Sequence, residues 1–496
     1  MRFSYLRSTL QKKLRLIGWL CTGVPCAHSS PALDTLGALD SLTPLSVTTT
    51  QDPSVAYFNP ALLLMTGDQT HIGIIGISQR LSFKQLPRPE GSEIGEEIYR
   101  ATLVNPATEG ALLPLPTSAL APKSRDGSAT EQVFAQIGLT RSLIDHRLSL
   151  GFIALIPLHR FELQGSNFVD ERAQYGNQSL KFERWGDSLE GLSSALGVGF
   201  MPYSWVSLGA GISLNTRSVA ESHVFLSDAS YQGETVVAPQ VTVHSVVNPH
   251  FSLAITPPSF GAKSQWRTLG SFTLHTAEDV RSEGKSVVKI WGYPYPDGQD
   301  SITQNFTQIN RALPLRLKWG FELVYLDADK SEASSPDRWV AHFGGGWTQW
   351  SKHTDRAGEE SRWVDQWEAN IGAERWMSSF GLGIDFRWRP TPVPIQAGRS
   401  SYVDPTQLAA SVSGRVKIWK MLSVQLNVQA HRLVPRTDIK QSNARIPVVD
   451  EFPDSVDEVT GNPLSSSEGL QSNNPGFPGF QSEGWVWVGG LSLRIN

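Results

Sequence analysis

Several charged residues fall in one phase of alternating segments in the second half of the chain: Arg316, Lys318, Glu322, Glu368, Glu374, Asp385, Arg387, Arg389, Arg415 and Lys417. Charges on the inner side of a wall persist when they are paired or hydrogen bonded. Mixed signs on neighbouring segments suit a network that braces the wall against whatever lies inside it. The other chemistry open to them is anion capture. Arg316, Lys318, Arg387 and Arg415 are the candidates for holding a ligand carboxylate, a task that suits the guanidinium fork.

Signatures of catalysis are poor. The 11 histidines are scattered, without a His-x-x-x-His pair, and the two cysteines, Cys21 and Cys26, lie at the extreme N-terminus. No metal site, nucleophile elbow or phosphate loop is expected from this pattern. Gly209/Gly211 and Gly381/Gly383 read as small residues on alternate positions of one face, not as nucleotide loops. The reading is therefore of a protein that is not an enzyme and carries no cofactor and no metal. A membrane-embedded hydrolase with a serine and histidine on the wall stays open, because spacing in sequence would not reveal it.

The elements that position these charges are strands. Phe380, Leu382, Ile384, Phe386 and Trp388 alternate with Gly381, Gly383, Asp385, Arg387 and Arg389. Leu422, Val424, Leu426 and Val428 alternate with Ser423, Gln425, Asn427 and Gln429. Successive strand side chains point to opposite faces, so one face is apolar and the other small, polar or charged. Segments of about 10 to 15 residues are longer than the ~5–6 of common soluble strands. Aromatics gather near segment ends, as at Trp376, Trp388, Trp419 and Trp485, in the manner of interfacial girdles.

The 496 residues carry 43 basic and 47 acidic side chains, a net charge of −4, and 18% are charged against ~25% in ordinary soluble chains. At 40% apolar the chain is not disordered, and a pI near 6.3 offers no basic field for nucleic acid. Its apolar runs are too short for a membrane-spanning helix, which needs ~20 residues. Residues 1–29 combine Arg2, Arg7, Lys12, Lys13 and Arg15, an apolar stretch from Leu16 to Ala27, and small residues at Ala27-His28-Ser29. That layout reads as a secretory signal peptide.

Fourteen segments are expected, at about 69–84, 131–143, 146–161, 189–202, 204–219, 238–256, 266–277, 313–326, 338–352, 364–376, 379–390, 404–418, 421–432 and 483–495. Short gaps follow the even-numbered segments and longer ones the odd-numbered, the rhythm of periplasmic turns and external loops. The fold class is all-β: a 14-stranded antiparallel transmembrane β-barrel over residues 67–496, with long external loops at 85–130, 161–188, 278–312 and 433–482. An even strand count leaves both termini on the periplasmic side.

Residues 52–64 precede the first strand and lack its alternation. They read as a compact turn leading to a short helix. Asp52, Ser54, Tyr57, Phe58, Asn59, Pro60 and Ala61, with Leu63, fill the pattern Asp-x-Ser-x-x-aromatic-aromatic-Asn-Pro-Ala-x-Leu. This run resembles the N-terminal hatch motif of the FadL-type (TodX-like) outer-membrane transporters of long-chain fatty acids and other hydrophobic compounds. Shorter resemblances follow in order: Leu148 to Pro157, Trp205 to Leu214, Gly346 to Ser351, Pro390 to Pro394 and Gln481 to Trp485. Departures are the Asp52-Pro53 and Leu62-Leu63-Leu64 spellings and a chain end at Ile495-Asn496, where barrels commonly present an aromatic residue to the assembly machinery.

The resemblance implies a hatch over residues 30–66 plugging the lumen. It implies passive uptake of a fatty-acid-like ligand, captured outside and released sideways through a gap in the wall beside strand three. Its partners would be that hydrophobic small molecule, outer-membrane lipid and the barrel assembly machinery, with no nucleic acid, for a monomer in the outer membrane of a Gram-negative cell. An aromatic hydrocarbon as substrate, or a non-transporting barrel such as an adhesin, receptor or hydrolase, is the alternative. The residues supply a physical counterpart. Gly151, Phe152, Ile153, Leu155 and Pro157 make strand three apolar on both faces, which suits a greasy ligand path better than an aqueous pore. Pro157 has no N–H for the ladder; it either breaks the wall locally or marks the strand's external end.

Overall fold

Period-two alternation requires one face to meet an apolar medium and the other a polar one, and in the computed structural model the apolar face points outward. The structure describes residues 32–86, 124–126, 130–144, 147–158, 167–168, 179–180, 192–216, 236–243, 246–261, 265–289, 302–326, 337–354, 362–396, 402–440 and 479–496. Residues 1–29, read as a signal peptide, lie outside these.

Fourteen strands form the wall: β1 (Gln69–Gln85), β2 (Thr130–Ile144), β3 (Leu148–Pro157), β4 (Leu192–Tyr203), β5 (Val206–Thr216), β6 (Val246–Ile255) and β7 (Trp266–His275) in the first half. The second half supplies β8 (Arg316–Leu326), β9 (Arg338–Thr348), β10 (Gln366–Met377), β11 (Phe380–Arg389), β12 (Gln407–Trp419), β13 (Leu422–Ile439) and β14 (Gly479–Ile495). Each pairs antiparallel with its neighbours in sequence. The ring closes at β1, where Ile77 lies opposite Val488 of β14 on one side and Gln132 of β2 on the other. A closed ring leaves no strand edge unpaired.

On β11, Leu382, Ile384, Phe386 and Trp388 are exposed, while Gly381, Gly383, Asp385, Arg387 and Arg389 are buried. The same inversion runs round the ring, with Ile74, Leu139, Phe200, Ile212, Phe251, Phe321, Val412 and Leu426 exposed. Large apolar side chains on the outside of every part of a wall are built for lipid. Trp205, Trp339 and Trp419 stand exposed near the short turns, and Trp388, Trp485 and Trp487 near the other rim. Trp376 departs from the girdle expected of it. It shares the inward parity of Glu374, whose carboxylate accepts from its indole Nε1 at 2.8 Å.

Three boundaries differ from expectation. The sixth segment, expected at 238–256, is two pieces: β6 begins at Val246, and Val236–Val243 leaves the wall to pair with Glu278–Lys289. The valine-rich run carries no break in alternation, but β7 ends at His275 opposite His250, so the chain above that level needs another partner. Glu278–Lys289 also pairs with Ile302–Leu313, placing a three-stranded sheet in the expected loop 278–312. The expected loop 433–482 is shorter, because β13 continues to Ile439 and β14 starts at Gly479. Pro435 reads as a stop, yet the ladder absorbs it in a register shift between Leu433 and Arg436.

The outward position of Ile384 at the middle of β11 yields a first expectation. Ile384→Arg should lower barrel stability in a bilayer by about 2–4 kcal/mol, and Ile384→Val should be near neutral. Urea titration in lipid vesicles measures both; a tolerated arginine would mean that this face does not meet lipid.

Candidate functional site

The space inside the ring is taken by the chain itself. Residues 32–66 form a short helix α1 (Ala32–Leu36), an irregular stretch, a helix α2 (Val55–Phe58), a 3-10 turn (Pro60–Leu62) and a helix α3 (Leu63–Thr66). Nearly every residue from Ala32 to Leu63 is buried. Elements this short gain little from helix propensity, so wall contacts must hold them.

Those contacts come from round the ring. The Ala61 N–H donates to Ser252 Oγ of β6 at 2.8 Å, and Ser271 of β7 donates to the Thr48 carbonyl at 2.6 Å. Thr49 Oγ1 lies 2.8 Å from His342 Nδ1 of β9, and Thr43 donates to Glu374 of β10 at 2.9 Å. The Leu45 and Ser46 N–H groups both donate to Asp385 of β11, at 2.6 and 2.9 Å. Gln425 of β13 donates to the Ser41 carbonyl at 2.7 Å. At Gly383 the wall approaches so closely that a Cβ would overlap the Leu42 carbonyl, and at Gly209 one would overlap the Ala61 nitrogen. That close approach is what the alternate glycines provide.

Two ionic knots tie the segment down. At the first, Asp34 of α1 meets Arg316 and, at 2.8 Å, Lys318 of β8, and accepts from the Tyr57 hydroxyl at 2.8 Å. Arg387 donates to the Thr35 carbonyl at 2.5 Å; Arg389 donates to the Asp34 carbonyl at 3.3 Å and to Glu368 at 2.7 Å. At the second, Asp52 accepts from Arg415 at 3.1 Å and from Arg494 at 2.6 Å. Arg415 also donates to the Asp40 carbonyl at 2.7 Å. The Asp40 carboxylate accepts from the Ser54 N–H at 3.0 Å through one oxygen, and its other oxygen has no hydrogen-bond partner. Burial, and then the neighbouring Asp52, push Asp40 up to about 6, against the opposing pull of Ser54.

The hatch-motif residues therefore act in distinct ways. Asp52 binds two arginines, and the Ser54 backbone holds Asp40. Tyr57 links Asp34 to Arg316, whose guanidinium donates to the tyrosine oxygen at 3.2 Å. Phe58 lies under the Lys318 ammonium at 5.5 Å, Asn59 donates to the Thr48 carbonyl at 3.4 Å, and Pro60 starts the 3-10 turn that sets Ala61 on Ser252. The four cations proposed for a ligand carboxylate, Arg316, Lys318, Arg387 and Arg415, all turn to this segment. Lys417, in the same sequence phase, lies exposed beside a register shift at the end of β12.

The strand-three residues lie elsewhere on the ring. Gly151 faces Leu63 and Ala56, and Phe152 faces outward. Ile153 and Leu155 are fully buried in a cluster with Ile75 and Ile77 of β1, Phe134 of β2, Val486 and Val488 of β14, and Leu433 of β13. Leu33, Leu36, Leu39, Tyr57 and Phe58 complete it from the N-terminal side. Ionic pairing is thus concentrated from β8 to β12, while an apolar cluster, among buried polar side chains such as Gln79, Gln136 and His431, draws its members from β13, the closure strands, β3 and Ala195 of β4. Leu158 donates its N–H to Val133 of β2, so alternation turns the Pro157 nitrogen toward β4. Among the described residues the β3–β4 ladder ends just short of it, at Leu155 opposite Ser193.

No protein-family model matches this chain, and no curated protein matches it. Solved structures do. The crystal structure of a FadL homologue from Pseudomonas aeruginosa aligns over 94% of this chain and 98% of its own, with a TM-score of 0.51 at 12% identity. The toluene transporter TodX from Pseudomonas putida aligns over 94% of this chain and 99% of its own, with a TM-score of 0.47 at 11% identity. The toluene transporter TbuX from Ralstonia pickettii aligns over 92% of this chain and 99% of its own, with a TM-score of 0.43 at 11% identity. The first likeness shows a shared fold.

Two expectations follow from the knots. Asp34→Asn leaves Arg316 and Lys318 without their carboxylate and should weaken docking of residues 32–66 by about 3–5 kcal/mol. Hydrogen exchange across α1 reads this. Asp40 has a folded pKa above its ordinary 3.8, so it opposes docking once ionised above pH 6. That opposition is relieved as pH falls from about 6 toward about 4. Protection factors across residues 32–66, corrected for the pH dependence of intrinsic amide exchange, should be higher at pH 5 than at pH 7, and Asp40→Asn should reduce the difference.

Proposed function

We propose that this chain is a passive outer-membrane transporter of hydrophobic molecules, long-chain fatty acids or similar compounds, which it takes at its external face and releases sideways through the wall beside β3. One observation carries this reading: a charged network holds residues 32–66 on one side of the interior, and on the other an apolar cluster reaches Ile153 and Leu155 of β3. A lumen occupied by residues 32–66 is ill suited to free flow of water and small polar solutes, so those residues act as the hatch. A hydrophobic molecule gains about 25 cal/mol per Å2 by staying out of water. Discharge into an aqueous compartment would forfeit that gain, and discharge into the bilayer keeps it. The Pro157 nitrogen, turned to β4 without a proton to donate, lowers the energy needed to part the wall there. The shared fold agrees with this reading, and the basic and apolar pattern of residues 1–29 supports export by a signal peptide and insertion by the barrel assembly machinery.

A second reading, that the cargo is an uncharged hydrocarbon of aromatic type, draws on the four basic residues. Arg316, Lys318, Arg387 and Arg415 are already engaged by the N-terminal segment, so an anionic head group would have to compete with Asp34, Asp52 and backbone carbonyls for them.

Pro157→Val restores a ladder donor and should slow hydrophobic uptake into proteoliposomes severalfold, with heat-modifiable gel mobility unchanged. Cysteines at the facing pair, Leu155→Cys with Ser193→Cys, should slow it when oxidised and release it on reduction. Uptake at the wild-type rate in the oxidised form would rule out this exit.

A further inference from the structure

The ladder between β6 and β7 is interrupted, not ended. In the wall it pairs His250–Ile255 with Gly270–His275. Beyond the wall it resumes in the three-stranded sheet, where Val243 lies opposite Ser282. The register is the same on both sides of the break: from 243 to 250 and from 275 to 282 is seven residues on each strand. Among the described residues, no ladder pair joins Val246–Pro249 to Thr276–Arg281. On their far sides both stay paired, Val246–Pro249 with β5 and Glu278–Arg281 with the strand Ile302–Leu313. A seam is left between two flanking ladders, and Pro249 stands at its lower end. The Thr276 N–H donates to the Pro249 carbonyl at 3.2 Å, and the reciprocal bond of that pair needs a proton that proline lacks. β6 crosses with 10 residues, about the number a tilted strand needs to span the apolar band. Pro249 lies six residues from Ile255, the end that short turns place on the periplasmic side, so the seam starts in the outer half of the membrane.

The inner side of this place is polar. His250 and His275, the last pair below the seam, stack at 5.0 Å and are fully buried, as is Thr273. Arg316 lies opposite His275 on β8 and is 4% exposed. His250 Nε2 is 2.9 Å from the Ala56 carbonyl. His250 Nδ1, both ring nitrogens of His275, Thr273 Oγ1, and Nε and Nη2 of Arg316 have no hydrogen-bond partner. Buried polar atoms left unmatched together in this way are costly, and they mark a place that receives a polar group. We infer that the seam is a side port, through which an amphiphile enters from the outer leaflet with its hydrogen-bonding head led inward to His250, Thr273, His275 and Arg316. Val247 and Phe251 of β6 and Phe272 of β7 face outward beside the seam, so the chain of such a molecule stays among apolar groups while its head crosses the wall. The clasp across the seam is a side chain, the Thr276 hydroxyl, which donates to Asn248 Oδ1 at 2.7 Å. The port and the exit differ in lining: polar here, and Ile153 with Leu155 at β3.

This inference rests on the transport reading, and the test separates the two. Wild-type protein in phosphatidylcholine vesicles is given radiolabelled dodecanol, dodecanoate or dodecane. Pro249→Cys with Thr276→Cys joins the two lips of the seam. When oxidised, with heat-modifiable gel mobility unchanged, this variant should take up dodecanol and dodecanoate severalfold more slowly, and reductant should restore the rate. Wild-type rates for both in the oxidised form would overturn the port. In a second variant, Thr273→Val with His275→Phe, uptake relative to dodecane should fall severalfold, for both headed molecules if hydrogen bonding selects the head and for dodecanoate alone if its charge does. Unchanged ratios in a folded barrel would overturn the head-group site. If wild-type vesicles admit none of the three faster than protein-free vesicles, the transport reading itself fails.

Discussion

A ring of fourteen strands encloses more space than its own inward side chains fill, and that void is the constraint on which the rest of the structure depends. Here the filler is residues 32–66, and their backbone polar groups must be satisfied inside a wall that excludes water. This accounts for the charged inward face. Asp385 takes two backbone N–H groups, Arg387 and Arg389 take carbonyls, and Asp34 and Asp52 bring in two basic residues each. Removing one member of such a set leaves a buried charge unpaired, so the network behaves as a unit.

The wall was legible in the sequence because its period is short and repeated. The alternation from Phe380 to Arg389 told inward from outward residue by residue, and the buried set on β11 is that inward set. Where legibility failed, the cause was pairing. Nothing local at Val236–Val247 says that the ladder β7 offers to β6 ends at His250. Nothing local at Pro435 says that β14 is long enough to carry β13 past a bulge to Ile439. Trp376 lies near a strand end, yet its parity with Glu374 decides where it points.

The site was legible only in part. The run from Asp52 to Ala61 stood out as irregular and proline-marked ahead of the first strand, but its partners are remote: Asp52 meets Arg415 and Arg494, and Ala61 meets Ser252. Asp34 and Asp40 carry no local signal. They sit in an unremarkable stretch, Ala32 to Ser41, and their importance comes from the basic residues the ring brings over them. The apolar cluster was legible only at β3. Its other members, Ile75, Ile77, Val486, Val488 and Leu433, belong to strands that meet across the closure, the pairing most distant in sequence.

That closure has a consequence for how the molecule is made. The segment that fills the ring is synthesised first, while the strands that grip it, β6 to β14, come after it, and Val486, Val488 and Arg494 belong to the last of them. Bringing Asp52 to Arg494 joins residues from opposite ends of the sequence, a contact won late and slowly. A ring sealed at Ile77 and Val488 with nothing inside would strand both side chains, and Arg494, against an empty interior. The N-terminal segment thus doubles as a mandrel, rewarding the seam for shutting only around a completed filling.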